Sequence, residues 1–244
     1  MKQETKTLGR REALSAFGLA ALASACGDSS PTSATSTTAT STPSSTATGS
    51  AGCVVAADET AGPYSDITGM ANNPAFFRRD IREGKPGTPL TLALTIVNVR
   101  NNCNALANAN VEIWQCDATG FYSEYAQPGY NGTGQTYLRG LQTSDASGRV
   151  TFVTVYPGWY MGRATHIHVK VYVSGQAVKT TQIAFPEDIT AEVYASGVYT
   201  AKGQSPTRNA SDMVFADGTS TEMASVAGSP AAGYTATLTI GVNA

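Results

Sequence analysis

HIHVKVYV, His166 to Val173, contains both histidines of the 244-residue chain and decides how the rest of it is read. Its residues alternate strictly, the period of a strand with one buried face. Ile167, Val169, Val171 and Val173 then line a core, while His166 and His168 project together from the opposite face. Two neighbouring imidazoles make metal binding the first hypothesis, because neutral imidazole is a common metal ligand.

Similar segments lie on both sides of this stretch. Leu90–Val99, Ala109–Cys116, Arg149–Tyr156, Ala177–Phe185 and Gly233–Val242 are rich in β-branched and aromatic residues, with Gly, Asn, Asp and Pro between them. In the last of these, Tyr234, Ala236, Leu238 and Ile240 fall on one face. A short helix is expected over Asp188–Val198, and no helix–strand alternation of the βαβ kind occurs. The fold class expected is all-β, a two-sheet β-sandwich with long rim loops around a metal site, Glu124–Gly140 being one such loop.

The N-terminus predicts export. Residues 1–25 combine Lys2, Lys6 and a twin-arginine-like Arg10-Arg11 with a short apolar run, too short to span a bilayer. LASAC, ending at Cys26, has the form of a lipoprotein cleavage site, so Cys26 is the expected lipid anchor of an extracytoplasmic protein. Residues 26–52, almost wholly Ala, Gly, Ser, Thr and Pro, read as a flexible tether. Residues 53–244 form the expected domain, with 12 Lys and Arg against 15 Asp and Glu. That balance, with no basic stripe, argues against nucleic acid as a partner. Cys53, Cys103 and Cys116 leave three single disulfide pairings open, and their spacing speaks against structural zinc.

Tyr122 and Tyr160 are candidates to complete the metal site. Tyr122 follows the turn residues Asp117 and Gly120, and Tyr160 lies in the PGWY turn that leads into the histidine strand. Two phenolates and two imidazoles suit a hard ion such as Fe(3+), whose charge lowers a phenol's pKa from its usual ~10. By spacing alone, each tyrosine is more often a packed core or turn residue than a ligand.

WQCDATGFYS (Trp114–Ser123) and LRGLQTSDASGRVTFVTVYPGWYMGRATHIHVKV (Leu138–Val171) resemble segments of the intradiol ring-cleaving dioxygenases, above all the branch of the protocatechuate 3,4-dioxygenase β chain. ETAGPY (Glu59–Tyr64), the Asp80–Leu90 segment and TQIAF (Thr181–Phe185) are also similar to that family. The resemblance implies a non-haem ferric ion held by Tyr122, Tyr160, His166 and His168. Arg163 would stand beside the substrate, Gln182 would match the active-site glutamine, and Tyr160 would be the ligand that a catechol displaces. Cleavage to a cis,cis-muconate with both oxygen atoms of dioxygen, without an external reductant, is the implied reaction. Arg139 and Gln142 read as residues that lock loops. Arg78, Arg79 and Arg82 are candidates to reach a substrate carboxylate. Homo- or hetero-oligomers are both open, as the family's paired chains suggest. The competing expectations are a non-catalytic cell-surface binding module and a different metal oxidoreductase on the same fold.

Overall fold

The computed structural model describes residues 53–67 and 69–244. The expected export signal, Cys26 and the tether lie outside them. Eleven strands are present among the described residues: β1 (Pro89–Asn98), β2 (Asn104–Ala105), β3 (Asn110–Trp114), β4 (Ala126–Gln127), β5 (Tyr130–Asn131), β6 (Arg139–Thr143), β7 (Arg149–Val155), β8 (His166–Val173), β9 (Gln176–Ala184), β10 (Ser225–Ser229) and β11 (Gly233–Val242).

β1 organises a five-stranded sheet. It pairs in parallel with β11 on one side and antiparallel with β7 and β2 on the other, and β10 closes the β11 edge. The second sheet runs β6-β3-β8-β9 and is antiparallel throughout. Leu90, Leu92, Leu94, Ile96, Phe152 and Ile240 of the first sheet share one apolar core with Val111, Ile113, Ile167, Val169, Val171 and Ile183 of the second. Burying each such side chain is worth about 1.5–3 kcal/mol. The register of β8 is therefore set by its apolar face: a one-residue slip would expose Val169 and drive the histidines into the core.

The all-β, two-sheet expectation is corrected on two counts. The architecture is mixed, with α1 (Glu187–Tyr194) and five short 3-10 helices, and there are three sheets. α1 starts after Pro186, carries Glu187 and Asp188 where the helix dipole favours negative charge, and buries Val193 and Tyr194. It falls largely within the expected helical stretch. The third sheet is the β4–β5 ribbon inside the Glu124–Gly140 loop. Pro128 followed by Gly129 at φ +82° fits a type II turn, so this segment closes on itself instead of joining a larger sheet.

Cys53 and Cys103 form a disulfide, and Cys116 is a buried free thiol pushed up to about 12 by burial. No helix among the described residues is long and apolar enough to cross a membrane.

Candidate metal centre

The centre assembles on the outward face of β3 and β8, where Trp114 and His168 are register partners. Their rings stack with centroids 4.7 Å apart and parallel planes. His166 is likewise buried, and its Nδ1–H donates to the Ala164 carbonyl at 2.7 Å. That bond assigns the tautomer: Nε2 keeps its lone pair and faces the centre. Burial and the nearby Arg163 charge lower His166 to about 3 and push His168 well below its ordinary value, so both rings are neutral at pH 7.

Four polar groups crowd that one lone pair. His168 Nε2 lies 3.2 Å from His166 Nε2, Tyr122 Oη 3.3 Å, Tyr160 Oη 3.4 Å and Arg163 Nη1 3.4 Å. A single lone pair serves one good hydrogen bond, and these separations are long for hydroxyl donors. Separations of roughly 3 Å are instead those of adjacent donors about 2.0–2.1 Å from a common ion. The donor set, two imidazole nitrogens and two phenol oxygens, thus fits a hard cation. Burial raises Tyr122 well above its ordinary value and Tyr160 to about 12, so both phenols stay protonated until a strong positive charge joins them.

The tyrosines arrive on turns. Asp117 Oδ1 accepts from the backbone N–H groups of Thr119 (2.9 Å) and Phe121 (3.1 Å), and Oδ2 pairs with Lys85 Nζ at 2.6 Å. This fixes the turn that delivers Tyr122. The PGWY turn lies directly on it: a Cβ on Gly120 (φ +91°) would collide with the Trp159 carbonyl, and one on Gly158 with the Asp117 and Ala118 carbonyls. Lys202 Nζ donates to both turns, at Thr119 O (2.6 Å) and at Trp159 O. Tyr122 is fully buried, whereas Tyr160 is half-buried and borders an open 450 Å³ cavity lined also by Tyr64, Phe121, Trp159, Met161 and Lys202.

The other expected residues divide. Arg163 donates from Nε to Asp212 at 2.9 Å and from Nη2 to Gln182 Oε1, and Gln182 Nε2 donates to Thr60 O at 2.9 Å. Gln182 thus uses both ends of its amide and orients the arginine. Arg139 is wholly buried and donates to Ser123 Oγ, Ser123 O and Tyr64 O, with Glu124 Oε2 at 3.1 Å, which locks the loop just after Tyr122. Gln142 donates to the Thr151 carbonyl, far from the chemistry. Arg78 is held by Thr136, Arg139 and Glu83, and Arg82 pairs with Asp80, so neither reaches the centre.

Two residues escaped sequence reasoning. Asp212, 2% exposed, anchors both Arg163 and the Ala164 N–H (2.7 Å), yet it sits in a polar loop without periodicity. Tyr64 stacks on Tyr122 with centroids 4.7 Å apart; its only signal was a place within ETAGPY. A separate acidic group, Glu59, Asp217 and Glu222, has oxygens within 4.8 Å of one another and is a second place where a cation can be held.

Known proteins to which this chain is similar are dioxygenases. The dioxygenase family model matches residues 60–164, ending just before the histidine pair. An intradiol ring-cleavage dioxygenase from Tetranychus urticae superposes with a TM-score of 0.68 at 26% identity, covering 78% of this chain and 95% of its own. The dioxygenase domain of a dioxygenase–carbohydrate-binding fusion from Streptomyces sp. SirexAA-E gives 0.56 at 27% identity, covering 77% and 97%. The 3-chlorocatechol 1,2-dioxygenase of Rhodococcus opacus 1CP shares the fold at 19% identity, with a TM-score of 0.51 and 76% and 71% covered. The chain is thus similar in fold to intradiol ring-cleavage dioxygenases over more than three quarters of its length.

Proposed function

We propose that the chain is an Fe(3+)-dependent intradiol dioxygenase acting on a catechol or protocatechuate-like substrate and yielding a cis,cis-muconate. The observation that carries this reading is the crowding of Tyr122, Tyr160 and His168 around the Nε2 lone pair of His166. These four residues would hold the ion. When bound, it supplies Lewis acidity and allows an electron-rich catecholate to meet dioxygen without an external reductant.

The protein's own part follows from burial. Tyr122 is closed in by Tyr64 and by the Arg139-locked loop, whereas Tyr160 faces the cavity on a turn ending in Gly162 (φ +86°). Tyr160 is therefore the phenolate with room to swing away, and its Oη takes the proton that a catechol hydroxyl gives up on binding. Arg163, oriented by Asp212 and Gln182, presents a fixed guanidinium beside the ring and stabilises negative charge developing there. Aromatic lining by Tyr64, Phe121 and Trp159 suits a flat substrate.

Export and anchoring through Cys26 belong to the same proposal, supported by a disulfide of the kind that persists in oxidising compartments. The test of function is dioxygen uptake by the iron-loaded protein with catechol and with protocatechuate, no reductant added. Uptake matched to ring-opened product is expected. A requirement for reduced nicotinamide, or inertness of the fully iron-loaded protein toward both, would contradict the reading.

A further inference from the structure

The N-terminal segment Ala56–Tyr64 crosses the domain before reaching the centre. Ala56 N–H donates to Gly241 O and Glu59 N–H to Thr180 O, each at 2.9 Å. Thr60 O then receives Gln182, Gly62 packs so closely that a Cβ would meet His168 Cε1 at 3.2 Å, and Tyr64 stacks on Tyr122. Opposite lies the loop from Asp212 to Glu222, whose first residue holds Arg163. The two segments meet where Ala57 N–H donates to Thr221 Oγ1 at 3.0 Å, and there Glu59, Asp217 and Glu222 converge.

Three carboxylates with oxygens within 4.8 Å repel one another unless something positive lies between them. No Lys or Arg among the described residues forms an ion pair with any of the three: the Arg163 charge acts on Glu59 but is paired with Asp212, and Lys179 is committed to Asp58 at 2.6 Å and to Ala56 O. Glu222 is 1% exposed; its carboxylate meets Thr181 Oγ1 at 3.5 Å and the Gln182 backbone N–H, while its Oε2 has no partner. A buried carboxylate oxygen left unsatisfied beside two other carboxylates is a ligand position waiting for a cation. Burial and the Glu59 and Asp217 charges also raise Glu222 to about 7.

We propose that Glu59, Asp217 and Glu222 bind a calcium ion that staples the N-terminal segment to the Asp212–Glu222 loop. Oxygen-only donors select a hard cation, and three carboxylates supply up to six oxygens, within the six to eight that calcium takes. Asp217 is exposed, so water completes the shell from that side. Calcium sites of extracellular modules bind at about 10⁻⁴–10⁻³ M, which matches a half-open site on an exported domain. The ion fastens the two walls of the metal centre, because one carries Thr60 and Tyr64 and the other carries Asp212.

The experiment is thermal unfolding and titration calorimetry of the full-length protein, stripped of divalent ions with EGTA and then titrated with calcium chloride or magnesium chloride. Saturable calcium binding is expected, with the unfolding midpoint rising about 3–6 °C at ten times Kd and a weaker magnesium response. Asp217→Asn and Glu222→Gln should both abolish the rise. Asp217→Asn, the exposed change that leaves folding least disturbed, should match or exceed the untreated protein's midpoint without calcium, since it removes one of three repelling charges. No calcium response up to ~10 mM, tenfold above the weakest expected range, would overturn the proposal. So would an equal magnesium response, or an Asp217→Asn protein that still responds in full.

Discussion

His166 and His168 sit in a ladder of backbone hydrogen bonds, both in register with β9 and His168 also with β3, while Tyr122 and Tyr160 sit on turns outside any sheet. The strand half needs little beyond its apolar face, because burying Ile167, Val169 and Val171 already fixes where the imidazoles point. The turn half is held by charge: Lys85 on Asp117, Lys202 on two carbonyls, Arg139 on Ser123 and Glu124, Asp212 on Arg163. Two ways of positioning a side chain thus meet at one lone pair. The turn half also contains the residue proposed to move, Tyr160, which alone of the four borders the open cavity.

Loss of a donor from either half should have the largest effect. His168→Ala and Tyr122→Phe should each weaken iron binding by more than the ~10–100-fold that losing a ligand's supporting partner costs. Metal content after dialysis against a chelator measures this. Retention of iron by either variant would remove that side chain from the centre.

Arg139→Met comes next. It strips the cation from a fully buried pair and removes the donors that hold the loop after Tyr122. A loss of roughly 3–5 kcal/mol is expected in denaturant unfolding. A loss below about 1 kcal/mol would mean the turn half holds itself by packing, as the strand half does.

Asp212→Asn separates orientation from folding. The amide oxygen still accepts from Ala164 N–H, but the charge facing Arg163 is gone. Since a hydrogen bond to a charged group is worth about 1.5–3 kcal/mol, kcat should fall ~10–100-fold while the iron spectrum persists. An unchanged kcat would release Arg163 from the chemistry. At the small end, Arg82→Ala deletes a pair in which both side chains are well exposed, and stability should stay within about 0.5 kcal/mol.

The same contrast explains what could be read from the sequence. The strand half was legible because alternation encodes burial: β11 runs over Gly233–Val242 as expected, and β8 over His166–Val173. That the tyrosines lie beside the histidines was signalled only by neighbouring turn residues and a family resemblance, since spacing alone favoured core or turn packing. Asp212 carries no periodic signal, being a lone acid that meets Arg163 across 49 residues of chain. The Cys53–Cys103 pairing spans 50 residues and depends on where the N-terminal segment lies, which no local pattern records. The all-β reading failed at α1 and at the β4–β5 ribbon, where short-range features, a proline-led acidic first turn and a Pro-Gly turn, override the surrounding strand pattern.

Whether Tyr122, Tyr160, His166 and His168 hold one ferric ion with room for a catechol is read from the visible absorption spectrum of the iron-loaded protein. A broad red-brown band is expected, because phenolate bonded to ferric iron absorbs there by charge transfer, and anaerobic catechol should shift it to longer wavelength. A colourless protein that nonetheless carries one tightly bound iron would contradict the account, because neither phenol could then be a ligand.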